Sequence, residues 1–134
     1  MKILIDTHYL IWILNNEKCI PHSIREILEA DDTEVFASAV NFWEISLKAA
    51  LGKIDLKGHT VSEIYRTALK SNIGFINLTP DESISFSNLP VIAEHKDPFD
   101  RMLVWQAIKN DFYFLTADSK IVNNYAKFEL KILK

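Results

Sequence analysis

Short apolar runs alternate along this chain with longer segments of helical periodicity, and that alternation constrains the fold more than any other feature. Met1–Ile5 (MKILI), Glu34–Ser38 (EVFAS), Phe75–Leu78, Tyr113–Thr116 and Phe128–Leu133 are too short for stable helices and read as strands. Asp6-Thr7 can cap a helix running through Leu10, Ile11 and Leu14. Ser23–Ala30 presents Ile24, Ile27 and Leu28 on one helical face. Asn41–Leu51 reads as a helix ended by Gly52, and Val61–Ser71 as one ended by Gly74. Pro80–Phe86 and Ser119–Tyr125 read as short helices, and Pro98 suits the first position of a longer one over Pro98–Lys109. The strands are apolar throughout rather than alternating, as in a sheet covered on both faces. Strands separated by helices need crossover connections, which predicts a three-layer α/β/α arrangement around a five-stranded, mostly parallel sheet. No repeat, low-complexity stretch or linker divides the chain, so residues 1–134 are expected to form one domain.

That topology decides where the acidic side chains fall. Ligands bind parallel sheets beyond the carboxyl ends of the strands, near the switch in strand order. Asp6 directly follows the first strand and Asp118 the fourth. Glu44 lies near the start of the helix after the second strand. Asp100 lies in the first turn of the helix leading into the fourth strand, and that helix must run antiparallel to the strands. All four therefore reach one rim of the sheet. Crowded carboxylates raise one another's pKa, and a hard divalent cation resolves the conflict. Oxygen donors without clustered Cys or His favour Mg²⁺ or Mn²⁺, which can activate water and neutralise a phosphodiester during in-line displacement.

Taken singly, each acid has a structural alternative. Asp6, Asp97 and Asp118 fit helix N-caps, and Asp100 suits the first turn beside Asp97. Glu44 can pair with Lys48 one turn on, although Phe42, Trp43, Ile45 and Leu47 make its surroundings largely apolar. His8 and His95 flank the acids and suit surface or hydrogen-bonding roles better than metal ligation. Trp12, Trp43 and Trp105 occupy apolar helical positions and are expected in the core or at an interface.

Composition narrows the class. The chain carries 15 Lys and Arg against 18 Asp and Glu, a formal net charge of −3. That argues against passive, charge-driven nucleic-acid binding but not against a nuclease, whose acids hold cations. The single Cys19 and four scattered His offer no zinc site. No signal-peptide pattern follows Lys2, and no stretch approaches the ~20 apolar residues of a membrane span, so a cytoplasmic protein without membrane attachment is expected.

ILIDTHYLIWIL, SAVNFWEISLKAALGKI, HKDPFDRMLVWQAI and FLTADSKI, in that order, together resemble a PIN-domain ribonuclease of the kind that serves as the toxin in VapBC-type toxin–antitoxin pairs. The resemblance covers most of the chain, and HKDPFDRMLVWQA is its most specific segment. It implies a parallel sheet of order 3-2-1-4-5, with Asp6 and Asp118 facing across the switch point. It also implies an acidic quartet of Asp6, Glu44, Asp100 and Asp118 around Mg²⁺ or Mn²⁺, with Asp6 and Asp100 as the most direct ligands. Thr116, Asp97 and Arg101 match supporting positions. An RNA substrate, a VapB-like antitoxin and a homodimer are the implied partners. Two other functions fit parts of the pattern: a non-catalytic module of the same fold binding RNA or protein, and a phosphotransfer enzyme using Asp6 as nucleophile. The latter would want a second Asp where His8 stands.

Overall fold

A computed structural model describes residues 1–134. Its strands are β1 (Lys2–Ile5), β2 (Glu34–Ser38), β3 (Ile73–Ile76), β4 (Tyr113–Leu115) and β5 (Lys131–Leu133). Its α-helices are α1 (Thr7–Asn15), α2 (His22–Glu29), α3 (Ala39–Ala50), α4 (Val61–Lys70), α5 (Pro80–Ser85), α6 (Pro98–Asn110) and α7 (Ser119–Tyr125). The sheet order is β3-β2-β1-β4-β5, and every pairing is parallel. This is the implied order, with the switch between β1 and β4.

The apolar strands are apolar because both faces are covered. Ile3, Leu4 and Ile5 of the central strand are all fully buried. Ile3 and Ile5 join Ala37, Leu115, Tyr9, Leu10, Ile24, Ile45 and Ile64 in the core beneath α1 to α4. Leu4 and Phe114 point the other way, to Leu103, Val104, Ala107, Ile121 and Tyr125 beneath α6 and α7. Each such side chain contributes about 1.5–3 kcal/mol on burial, which makes β1 the least replaceable strand. No helix is long and apolar enough to cross a membrane.

Several boundaries differ from expectation. The third strand runs over Ile73–Ile76 rather than 75–78, so Gly74 is a strand residue and not a helix stop. It lies opposite Phe36 of β2, and a Cβ there would sit 2.7 Å from the Phe36 ring. The glycine answers a close approach within the sheet, where sequence suggested chain reversal. The last strand is confined to Lys131–Leu133, because 126–129 are turn. Helix α3 begins at Ala39, two residues early, because Ser38 caps it through the Val40 amide and Asn41 answers back to the Ser38 amide.

Two buried amides pin the layers together. Asn41 Nδ2 donates to Ile5 O at 3.2 Å and to Thr7 Oγ1 at 3.1 Å, tying α3 to the end of β1. Gln106 of α6 accepts from Ser38 Oγ and donates to Asn77 O and Glu82 Oε1, joining α6 to β2 and α5. Glu82 is itself buried, and its other oxygen accepts from Asn110 Nδ2 at 3.1 Å. Satisfied buried networks of this kind fix the register of helix on sheet, since slippage would strand several polar groups at once.

Candidate active site at the carboxyl edge of the sheet

Strand β1 delivers Asp6 to the rim. Its amide donates to Leu115 O at 3.0 Å, extending the β1–β4 ladder by one bond. Its carboxylate caps α1, accepting from the Tyr9 amide at 2.8 Å, and it is 4% exposed. Burial pushes its pKa above the ordinary carboxylate value; the Thr116 hydroxyl, the Tyr9 amide and His8 oppose this, while Glu44 adds to it. Across the switch point, Asp118 caps α7 through the Lys120 amide at 2.8 Å. Its own amide donates to Thr116 Oγ1 at 3.0 Å. The fully buried Thr116 hydroxyl thus stands between the two acids that end β1 and β4.

Helix α3 supplies Glu44, 3% exposed. One carboxylate oxygen accepts from the Thr7 hydroxyl, and the other pairs with Lys48. The i,i+4 pairing seen in the sequence therefore forms, but it is no solvated surface pair. Burial disfavours the Lys48 ammonium, yet the Glu44 hydrogen bond and the charges of Glu44, Asp97 and Asp100 outweigh it and hold its pKa above the ordinary lysine value.

Helix α6 supplies Asp100. Asp97 caps the helix by accepting from the Asp100 amide at 3.0 Å, as expected. Asp100 Oδ2 lies 3.1 Å from His95 Nε2. Burial pushes the Asp100 carboxyl up to about 6; the charges of Asp97 and Glu44 add to this, and the His95 hydrogen bond opposes it.

Asp100 is the hub. Ligand atoms of Glu44, Asp97 and Asp100 lie within 4.8 Å of one another, and so do those of His95, Asp100 and Asp118. Two donor groups therefore share one carboxylate. Asp6 belongs to neither and stands beside them, its charge felt at Glu44 and its oxygens engaged by Tyr9 and Thr116. Asp97 is both a cap and a member of the donor set. Arg101 contacts none of the acids. It donates to Pro90 O at 3.0 Å and Tyr125 Oη at 3.1 Å, and packs over the Phe86 ring. His8 is exposed, whereas His95, the other flanking histidine, is buried and hydrogen-bonded.

Sequence reasoning passed over Asn41 and Thr7, which aim Glu44, and underweighted the burial of His95. The S-x-x-N spacing of Ser38 and Asn41 was the available signal for the first. Nothing local signalled the second.

The donor set suits a hard divalent cation. It is oxygen-rich and partly buried, and burial together with the charges of Asp97 and Glu44 disfavours the ionised Asp100 carboxylate, the condition a bound cation relieves. Glu44, Asp97, Asp100 and Asp118 would hold it.

Among curated proteins no sequence matches this one. Solved structures do resemble it. VapBC2 from Rickettsia felis, bound to a DNA fragment from its promoter, matches with TM-score 0.69 at 14% identity, covering 99% of this chain and 98% of that one. VapBC-1 from nontypeable Haemophilus influenzae matches with TM-score 0.66 at 14% identity, covering 100% and 98%. DNA-bound VapBC from Salmonella typhimurium matches with TM-score 0.62 at 18% identity, covering 99% and 97%. At such identities the likeness is one of fold. The family model described as PIN domain matches residues 3–127, a span that takes in every acid above. The chain belongs to the PIN domain family.

Proposed function

We propose that this protein is a Mg²⁺- or Mn²⁺-dependent endoribonuclease and the growth-inhibiting toxin of a toxin–antitoxin pair. The observation that carries the reading is the sharing of Asp100 between two donor groups at the rim where β1 and β4 diverge. A divalent ion bound there supplies Lewis acidity toward a phosphodiester and a water molecule of lowered pKa.

The remaining roles belong to the chain. Asp100 and Glu44 hold the cation, with Asp97 and Asp118 completing the donors. Asp6, buried and held by the Tyr9 amide at 2.8 Å, adds its carboxylate to the same rim. Thr7 and Asn41 keep Glu44 aimed inward. Lys48 balances the acids at the mouth of the site.

The structural neighbours are VapBC complexes, and on that ground a VapB-like antitoxin is proposed as partner. A homodimer is proposed through the exposed row Trp43, Leu47 and Leu51, which repeats at helical spacing along α3 and its C-terminal cap. Trp12 is half-buried, its ring 5.0 Å from that of Tyr9.

The test is RNA cleavage by purified protein. Cleavage is expected with Mn²⁺ or Mg²⁺, none with chelator, and a loss of at least about a hundredfold in folded Asp6→Asn and Asp100→Asn. Undiminished cleavage by either variant, with a native circular dichroism spectrum, would sink the site assignment.

A further inference from the structure

One buried side chain is only half explained by the site. His95 is 4% exposed and lies outside any helix, its amide donating to Ile92 O at 3.1 Å just ahead of α6. Its Nε2 faces Asp100 Oδ2 at 3.1 Å, while its Nδ1 is buried with no partner at all. A buried, unpartnered nitrogen is costly, so an imidazole kept in this place is tolerated for what its other nitrogen does.

The surroundings hold the ring without using Nδ1. Its edge packs on Tyr125, with ring centroids 5.4 Å apart and planes at 60°. The Tyr125 hydroxyl accepts from Arg101, whose guanidinium also donates to Pro90 O. Arg101, next to Asp100 in sequence, thus turns away from the acids and braces the tyrosine that backs the histidine. Apolar packing fixes the ring plane and leaves Nε2 as its one directed polar atom.

We infer that His95 is a positioning residue: its Nε2–H donates to Asp100 Oδ2 and fixes the carboxylate shared by the two donor groups, leaving the other oxygen to a divalent cation. This rests on the metal-site reading above. The competing role is direct ligation, since His95, Asp100 and Asp118 atoms also lie within 4.8 Å of one another. The two roles are exclusive at Nε2: a positioning histidine carries its proton there, whereas a ligand presents a lone pair. Within the HKDPFDR segment His95 faces the Asp100 carboxylate, Asp97 holds the Asp100 amide, and Arg101 braces the tyrosine behind the histidine.

Calorimetric titration of the full chain with Mn²⁺ separates these cases. His95→Phe keeps the ring volume and the packing on Tyr125 but removes the donor, and is expected to weaken Mn²⁺ binding about 10–100-fold. His95→Gln, whose amide nitrogen can reach the Nε2 position, is expected to restore most of that affinity. His95→Asn, whose shorter side chain cannot reach it, is expected to resemble His95→Phe. Melting temperatures of the metal-free variants report folding independently. Wild-type affinity in folded His95→Phe overturns the inference. So does a His95→Gln variant as weak as His95→Phe, which would favour ligation. Absence of saturable Mn²⁺ binding in the wild-type protein removes the metal-site reading and this inference together, an outcome distinct from either.

Discussion

Asp100 pairs burial with two like-charged neighbours, and its titration has a definite sign. Its pKa rises from 3.8 to about 6 in the folded chain, so the folded protein binds this proton more readily than the unfolded one. Stability from this group is therefore full at low pH and declines as pH rises from 3.8 through about 6. Without metal, Asp100→Asn is expected to stabilise the protein at pH 7.5 by about 1–2 kcal/mol, a shift of a few degrees in melting temperature. Because a cation binds the ionised carboxyl, Mn²⁺ affinity should fall by about tenfold per pH unit below 6, as calorimetry at several pH values would show. Lys48 makes the opposite prediction for a neighbour. Its ammonium already neutralises Glu44, so Lys48→Met should tighten Mn²⁺ binding by about tenfold. A weaker titration in that variant would mean that Lys48 orders the site rather than competing for it. The four rim acids were legible in the sequence because the topology alone sends them to one edge. Their division was not: that Asp6 stands apart and that His95 is buried depend on contacts across the sheet, which no local pattern records.

At the scale of elements, helix number and the caps at Asp6, Asp97 and Asp118 could be read from hydrophobic period and capping residues, whereas the strand order came from the family resemblance. The errors fell where tertiary contact overrides local chemistry. Gly74 resembled a helix stop, but it is the position in β3 that makes room for the Phe36 ring. The Glu82–Gln106–Asn110 network was equally hidden, because its members lie 24 and 28 residues apart and meet only when α5 packs on α6. Its consequence is testable. Burial works to raise the Glu82 pKa, but the Gln106, Thr79 and Asn110 hydrogen bonds outweigh it and hold it below 4.5. The stability it contributes is present above pH 4.5 and is lost as pH falls through the lowered value. Glu82→Ala strands the amides of Gln106 and Asn110, and chemical denaturation should register a loss of about 2–4 kcal/mol at neutral pH. That variant touches none of the rim acids, so its metal affinity should stay near wild type while it remains folded.

For the whole molecule, the exposed row on α3 bears on assembly. Trp43 is 59% exposed and Leu51 57%, with Leu47 between them at 42%. Trp43 also packs on Phe99, next to the Asp97–Asp100 turn, so a subunit contact there would border the site. The wild-type protein is expected to sediment as a dimer and Leu47→Glu as a monomer; dimeric Leu47→Glu would place the contact elsewhere. The parallel order of the sheet carries one more consequence, in time rather than in space. Of the five strands the central one is made first, yet one of its edges waits for β4, where Ile3 meets Tyr113. Asp6 and Glu44 are made ahead of β3, but Asp100 and Asp118 follow only after it. A nascent chain of this topology would gather its full set of rim acids only once α6, β4 and Asp118 have been made, so any chemistry that needs all of them comes late in synthesis.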